Sequence, residues 1–353
     1  VVARPIVAVV MAGGTGTRLY PASRADRPKQ FLALGGSESL LARTVERVGF
    51  ADEVYVSTTA EHADRVREAV PGAGVIVEPD AKDTGPALAY AAHRVREQRN
   101  GPAPETGEQG ETTADRDGDC VVLCVPSDHV VGDGFAGAAR TAARAAVETE
   151  GLVAFGVEPT RPATGYGYIE PGESRGEYAE IARFREKPDA ETAERLVAAG
   201  CYWNAGLFAW TPEALLRAAR DSPLAPLVEA LDDGDPERGF RAVEPVSVDY
   251  AVMERTDDAY VVAADFEWDD VGSWDAIERV VETDADGNAV LGDALTIDAE
   301  ETVVAGLDGA HVSAVGVEGL VVAAAGDRVV VVPKDDAQRV REVVAALRER
   351  GRF

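Results

Sequence analysis

The stretch GGTGTRLYPASRADRPKQF, Gly13–Phe31, sets a cluster of glycines in front of four basic residues, Arg18, Arg24, Arg27 and Lys29. Only Asp26 opposes them. The whole chain of 353 residues is strongly acidic, with 63 Asp and Glu against 35 Lys and Arg and a formal net charge of −28. Glycines at the end of a strand let backbone N–H groups approach a phosphate closely. Cations clustered behind them suit a ligand with several negative charges, such as a nucleoside triphosphate. Gly13, Gly14, Thr15, Gly16 and Thr17 are therefore the candidate phosphate-binding positions. The other reading is a solvated loop whose arginines pair with nearby acids. Two familiar loops are excluded. A Walker A loop ends Gly-Lys-Ser/Thr, and this one ends Thr17-Arg18; a Rossmann G-x-G-x-x-G starting at Gly14 would need glycine where Leu19 stands.

Such a loop needs a frame. Ile6–Val10 is a short valine-rich run that reads as a buried first strand rather than as a short signal peptide. After it, strand-like runs at Glu53–Ser57, Val75–Val77 and Val121–Val125 alternate with helical spacing at Leu40–Val48, Ala60–Val70, Pro86–Arg99 and Gly137–Glu148. This alternation predicts an α/β fold with a mixed, mostly parallel sheet covered on both faces. Ligands of such sheets bind beyond the carboxyl ends of the strands. Residues 99–119 are rich in Gly, Pro, Thr and acids and read as a surface insertion. From about Asn288 the chain becomes short apolar runs broken by Gly and Asp, which predicts a small β-helical coil. A closing helix from about Asp336 would place Val340, Val343, Val344 and Leu347 on one face. The expected domains are thus 1–284 and 285–353.

Composition narrows the partners. An acidic chain is not expected to bind nucleic acid or anionic membrane, since both are polyanions. No stretch reaches the roughly 18 uninterrupted apolar residues of a membrane span, so a cytoplasmic protein is expected. Cys120, Cys124 and Cys201 form no disulfide framework and fit a reducing compartment, with Cys120 and Cys124 as core residues. Only four lysines occur, Lys29, Lys82, Lys187 and Lys334. Strong acidity with few lysines fits adaptation to a salt-rich cytoplasm, or a merely acidic mesophilic enzyme. Where lysine is scarce, each one is a candidate for a specific task.

GGTGTRLYPASRADRPKQFLAL resembles the signature loop of sugar-nucleotide pyrophosphorylases, and its P-K-Q-F ending resembles the mannose-1-phosphate guanylyltransferase branch. VLCVPSDHVV, PATGYGYIEPG, FREKPD, YWNAGLFAW, SVDYAVMERT and FEWDDVGSWDA are similar to that family's later motifs, in order. The resemblance covers nearly the whole chain outside 99–119 and implies a Rossmann-like nucleotidyltransferase domain followed by a β-helical one, without the isomerase domain of bifunctional relatives.

The resemblance also implies roles. Arg18 and Lys29 would bind the triphosphate and stabilise charge on the leaving pyrophosphate. Asp128, otherwise an ordinary turn aspartate, and Asp270, with Asp269 as the alternative, would hold Mg²⁺, an ion that takes one or two protein carboxylates. His129 would support them rather than ligate. Lys187 would meet the phosphate of the sugar 1-phosphate, and Glu186, Asn204 and Gly167 the sugar; by itself Glu186-Lys187 is an ordinary exposed pair. EPDAKDTGPAL resembles the segment near the base and brings in Glu78, Asp83 and Thr84. Here Asp83 and Gly85 replace the usual Asn and Ala, although an aspartate can accept from the N1–H and N2–H₂ of guanine.

The implied reaction is GTP plus α-D-mannose 1-phosphate giving GDP-mannose and pyrophosphate, by in-line attack of the sugar phosphate with Mg²⁺ as cofactor, in a homodimer. Other pairs, such as UTP or dTTP with glucose 1-phosphate, and a catalytically silent sensing subunit are the alternatives.

Overall fold

A computed structural model of the chain describes residues 4–14, 16–34, 36–100 and 120–353. Thr15 and residues 101–119 of the expected insertion lie outside the described residues. The chain divides into two compact units. The first comprises Val1–Gly13, Arg47–Pro126 and Gly132–Phe266; the second comprises Gly14–Glu46, Ser127–Val131 and Glu267–Phe353.

The first unit is built on a nine-stranded sheet. Strands β1 (Ile6–Met11), β2 (Glu53–Thr59), β3 (Gly74–Glu78) and β4 (Val121–Pro126) lie in the order β3-β2-β1-β4, all parallel. Their central residues, such as Val7–Val10 and Val121–Val125, are buried because helices cover both faces. The helix Phe135–Thr149 packs closely through Ala139, Ala142, Ala145 and Ala146.

Beyond β4 the sheet becomes mixed, as expected, with antiparallel pairs more numerous there than parallel ones. A two-residue strand β5 (Val130–Val131) belongs to the second unit, and the sheet resumes with β6 (Leu152–Val157), β7 (Tyr168–Ser174), β8 (Ala179–Arg185), β9 (Tyr202–Trp210) and β10 (Ala259–Ala263). Of these, only β6 and β10 pair in parallel. β9 runs antiparallel to β4, β6 and β7, and β7–β8 is antiparallel as well. For β7–β8 the reason is the connection: a short turn from Ser174 to Ala179 folds the chain back, whereas a parallel neighbour needs a longer crossover. Tyr168, Trp203 and Trp210 are core residues, each 3% exposed or less.

Arg99 and Asn100, expected in the insertion, are helical and close the helix Thr84–Asn100. Arg99 is anchored by a charged hydrogen bond to Glu53. Cys120, Cys124 and Cys201 are buried and form no disulfide among the described residues. No helix among the described residues is long and apolar enough to cross a membrane.

The second unit gathers sequence from three distant places. A short strand β11 (Trp268–Asp269) pairs antiparallel with β5. The tail follows as β12 (Ala289–Gly292), β13 (Ala294–Ile297), β14 (Val303–Leu307), β15 (Val312–Val315), β16 (Leu320–Ala325) and β17 (Arg328–Pro333). β12-β14-β16 stack in parallel with a near-regular offset, and β13–β15 forms a second parallel face. This is the expected small coil. Its core continues into the loop after β1: Leu19, Tyr20, Leu32, Leu34 and Leu40 share one apolar cluster with Trp274, Val303, Val321, Val340 and Val344. Trp274 Nε1 donates to the Tyr20 carbonyl at 2.9 Å. The closing helix, Val340–Glu349, buries Val340 and Val344 and packs Leu347 against the cluster, but Val343 is 41% exposed. The apolar face is therefore narrower than the spacing implied; the helix packs on the short turns Thr17–Leu19 and Lys334–Arg339.

Candidate functional site

Within the second unit, Lys29 is the centre of a cluster. Its side chain is 4% exposed, and Nζ lies 2.9 Å from Asp128 Oδ2 and 2.6 Å from the Asp270 carbonyl oxygen. A cavity of about 280 Å³ opens beside it, lined also by Gly16, Thr17, Arg18 and His129. Three stretches far apart in sequence thus meet around one buried ammonium. Burial pushes the Asp128 carboxyl up, but the charge of Lys29, with His129 and the Lys29 hydrogen bond, outweighs it and holds the group below the usual carboxylate range. Asp128 is therefore ionised at neutral pH.

His129 supports rather than leads. Trp268 Nε1 donates to His129 Nδ1 at 3.2 Å, which leaves the ring proton on Nε2, 3.9 Å from Asp128 Oδ1. Burial lowers the imidazole's proton affinity and keeps it neutral.

The Asp270 loop is strained. Val271 has φ 43° and is fully buried. A β-branched residue in the left-handed region is held only when its surroundings over-determine it. Here Val271 N–H donates to Asp269 Oδ1 at 2.7 Å and Gly272 N–H to Asp270 Oδ1 at 3.2 Å. The result presents the Asp270 carbonyl to Lys29 Nζ, and Asp270 lines the same cavity. Asp269 is engaged elsewhere, by Arg279.

Of the four basic residues behind the glycines, two line the cavity and two do not. Arg24 and Arg27 both reach Asp308, in the turn after β14. These two pair with an acid rather than face the cavity, and they fasten the loop to the coil. Arg18 lines the cavity and donates to Gln338 Oε1 at 3.2 Å; Gln338 Nε2 donates in turn to Ser273 Oγ at 2.6 Å. Gln338 thus ties Arg18 to the loop that carries Asp270.

Gly16 has φ 63°, and a Cβ there would collide with the Lys29 side chain. Its carbonyl accepts from Ser23 Oγ. Gly16→Ala is expected to lower stability by about 1–2 kcal/mol from the left-handed backbone alone, with a further loss from displacing Lys29. Calorimetric melting checks this; an unchanged Tm would contradict the packing described.

Gly14 is exposed and opens the second unit; the other predicted residues lie in the first unit. Glu186, 6% exposed at its side chain, pairs with Lys187. Its Oε2 is buried without a hydrogen-bond partner among the described residues. Gly167 makes room for that oxygen, since a Cβ would overlap it. Asn204 is fixed at both ends: Nδ2 donates to Asp249 Oδ1 at 2.8 Å, and Oδ1 accepts from Gly206 N–H at 3.1 Å. Burial and the neighbouring Glu186 charge raise the Asp249 carboxyl well above its ordinary value. Lys187 has φ 45°, and Glu186 N–H donates to Glu254 at 2.8 Å.

Glu78 ends β3 and is 6% exposed. Ser57 Oγ donates to its Oε1 at 2.9 Å, and a Cβ on Gly13 would stand 3.7 Å from that oxygen. Burial raises the carboxyl from 4.5 to about 7. Between those values the folded chain holds a proton that the unfolded chain has released. The stability this confers is full below the lower value and is lost as pH rises to the upper one. Denaturant titrations on either side of that interval should therefore show Glu78→Gln gaining on the wild type as pH rises. Asp83, φ 69°, is exposed, and its Oδ1 accepts from Thr84 N–H at 2.7 Å. Thr84 Oγ1 accepts from Val248 N–H at 3.0 Å.

Comparison with known proteins places this geometry. A nucleotidyl transferase family model matches residues 7–287, and a MannoseP isomerase/GMP-like β-helix domain model matches 292–347. A Klebsiella pneumoniae mannose-1-phosphate guanylyltransferase is 36% identical over 98% of the chain and 75% of its own length. The chain belongs to the mannose-1-phosphate guanylyltransferase family. It is accordingly a nucleotidyltransferase. The xanthan biosynthesis protein XanB of Xanthomonas campestris is 38% identical over 98% of this chain and 74% of its own length. A solved Thermus thermophilus structure, described as a mannose-1-phosphate geranyltransferase, superposes with TM-score 0.83 at 36% identity, over 98% of this chain and 99% of that one.

Guanylyltransferase-family sequence motifs led to Lys29, Asp128 and Asp270 but not to Asp249, Ser57 or Gln338. Asp249 lies inside SVDYAVMERT, so its motif was visible while its contact with Asn204 was not. Gln338 lies in a tail segment with no motif at all. As for a metal, the donors at the cavity are two carboxylates and no thiol, which fits a hard ion such as Mg²⁺. Among the described residues no group of three or more His, Cys, Asp or Glu could hold a metal.

Proposed function

We propose that this nucleotidyltransferase transfers GMP from GTP to α-D-mannose 1-phosphate, releasing pyrophosphate and forming GDP-mannose. The observation that carries the reading is the convergence of Lys29, Arg18, Asp128 and Asp270 on one cavity. Family membership, and the names of the relatives, supply the substrates.

In this reading the sugar phosphate is itself the nucleophile, so no side chain need form a covalent bond. The chain's work is positioning and charge neutralisation. Arg18 and Lys29 bind the triphosphate and meet the charge that grows on the leaving pyrophosphate. Asp128 and Asp270 would hold Mg²⁺, which when bound neutralises phosphate charge. Lys187 meets the phosphate of the sugar 1-phosphate. Glu186 Oε2 and Asn204 take hydroxyls of the sugar, the unpartnered oxygen being satisfied by a hydroxyl donor. Glu78, Asp83 and Thr84 face the base. A homodimer belongs to the same proposal, and sedimentation equilibrium tests it.

Pyrophosphate release should be measured with GTP, UTP and dTTP, each against mannose 1-phosphate and glucose 1-phosphate. GTP with mannose 1-phosphate is expected to give the highest kcat/KM. Preference for another pair would reassign the substrates, and binding of GDP-mannose without any pyrophosphate release would indicate a sensing subunit instead.

A further inference from the structure

Lys29 raises a question that its catalytic role does not answer. Its ammonium, a cation, already occupies Asp128 Oδ2, the very carboxylate assigned to the metal, and is anchored on the Asp270 carbonyl as well. We propose that Lys29 is an internal counter-ion that competes with the divalent metal for Asp128, so that the site takes up metal weakly until a triphosphate draws the lysine away. The inference rests on the reading of Asp128 and Asp270 as metal-holding residues.

The physical case is electrostatic. Two carboxylates and two cations line the cavity, Asp128 and Asp270 against Lys29 and Arg18. The formal charges therefore balance before any ligand arrives. A divalent ion approaching Asp128 meets a lysine charge 2.9 Å from the same carboxylate. That lysine is 4% exposed, so water screens it poorly, while Asp128 is 34% exposed on the cavity side. A triphosphate changes the balance. Its oxygens compete for the ammonium, which sits on a flexible four-carbon stem, and each phosphate contact made by Lys29 returns negative charge to Asp128 for the metal. Metal and nucleotide then help each other to bind, and by linkage the help is mutual.

The test uses the full chain without nucleotide and Mn²⁺ as probe, with free Mn²⁺ counted by its electron paramagnetic resonance signal. Lys29→Met should bind Mn²⁺ more tightly than the wild type by on the order of tenfold, within the 5–150-fold span of ordinary site–site coupling. Lys29→Arg keeps the charge and should stay close to the wild type. Adding Asp128→Asn to Lys29→Met should abolish the gain. If Lys29→Met does not fold, Lys29→Gln, which can still hydrogen-bond to Asp128, takes its place with the same expectation. The competition is overturned if neither neutral variant binds Mn²⁺ more tightly while Asp128→Asn in the wild-type background still weakens it. If Asp128→Asn leaves Mn²⁺ binding unchanged in every background, the metal assignment itself is wrong, and the inference goes with it.

Discussion

Lys29→Met is expected to lower kcat by about 10²–10³-fold. The side chain is buried, and its charge is aimed at the cavity rather than at bulk water. An ammonium in such a place stabilises developing phosphate charge far better than an exposed one, because little water competes with it. Methionine fills nearly the same volume, so the packing beneath Gly16 is kept. Asp128 loses its partner, but it is partly exposed and can be hydrated, so the fold should persist. Steady-state pyrophosphate release and a circular dichroism melt, taken together, separate lost chemistry from lost structure. Turnover near the wild-type value in a well-folded variant would remove Lys29 from the chemistry. Taken with its expected gain in Mn²⁺ affinity, the substitution should make the protein a better metal binder and a much poorer catalyst.

The second large effect is expected of Gly167→Ala. The added methyl would occupy the space now taken by Glu186 Oε2. That oxygen has no hydrogen-bond partner among the described residues, so little in the protein holds it in place against the methyl. Displacing a substrate-positioning group by around an ångström can reduce rate about 10²-fold. The loss should fall on kcat/KM for the sugar phosphate and leave the KM for nucleotide nearly unchanged. An equal loss for both substrates would mean a general disturbance of β7 and β9 rather than a damaged sugar site.

Much of this arrangement could be read from residue types and order, and the parts that could not share a cause. β1 to β4 and their helices are legible because each buries apolar runs against its neighbours locally. The antiparallel half of the sheet was hidden, since nothing in the β9 sequence YWNAGLFAW states which way it runs between β4 and β6. Lys29 and Asp128 could be nominated singly, but their 2.9 Å contact spans 99 positions. Arg24 and Arg27 looked like part of the same cationic cluster until Asp308, 281 positions beyond Arg27, took both. Gln338 is the extreme case: a neutral residue in a short helical turn, 320 positions from the arginine it orients. Proximity in a chain carries composition and periodicity. It does not carry partners brought together by tertiary structure.

The shared apolar cluster of the loop and the coil sets an order of events during synthesis. Leu19, Tyr20 and Leu32 leave the ribosome early, yet Val321, Val340 and Val344, against which they pack, come last. Until then the loop carrying Arg18 and Lys29 has no floor, so a nascent or prematurely terminated chain lacking the tail should carry the first unit's sheet but not a formed triphosphate pocket.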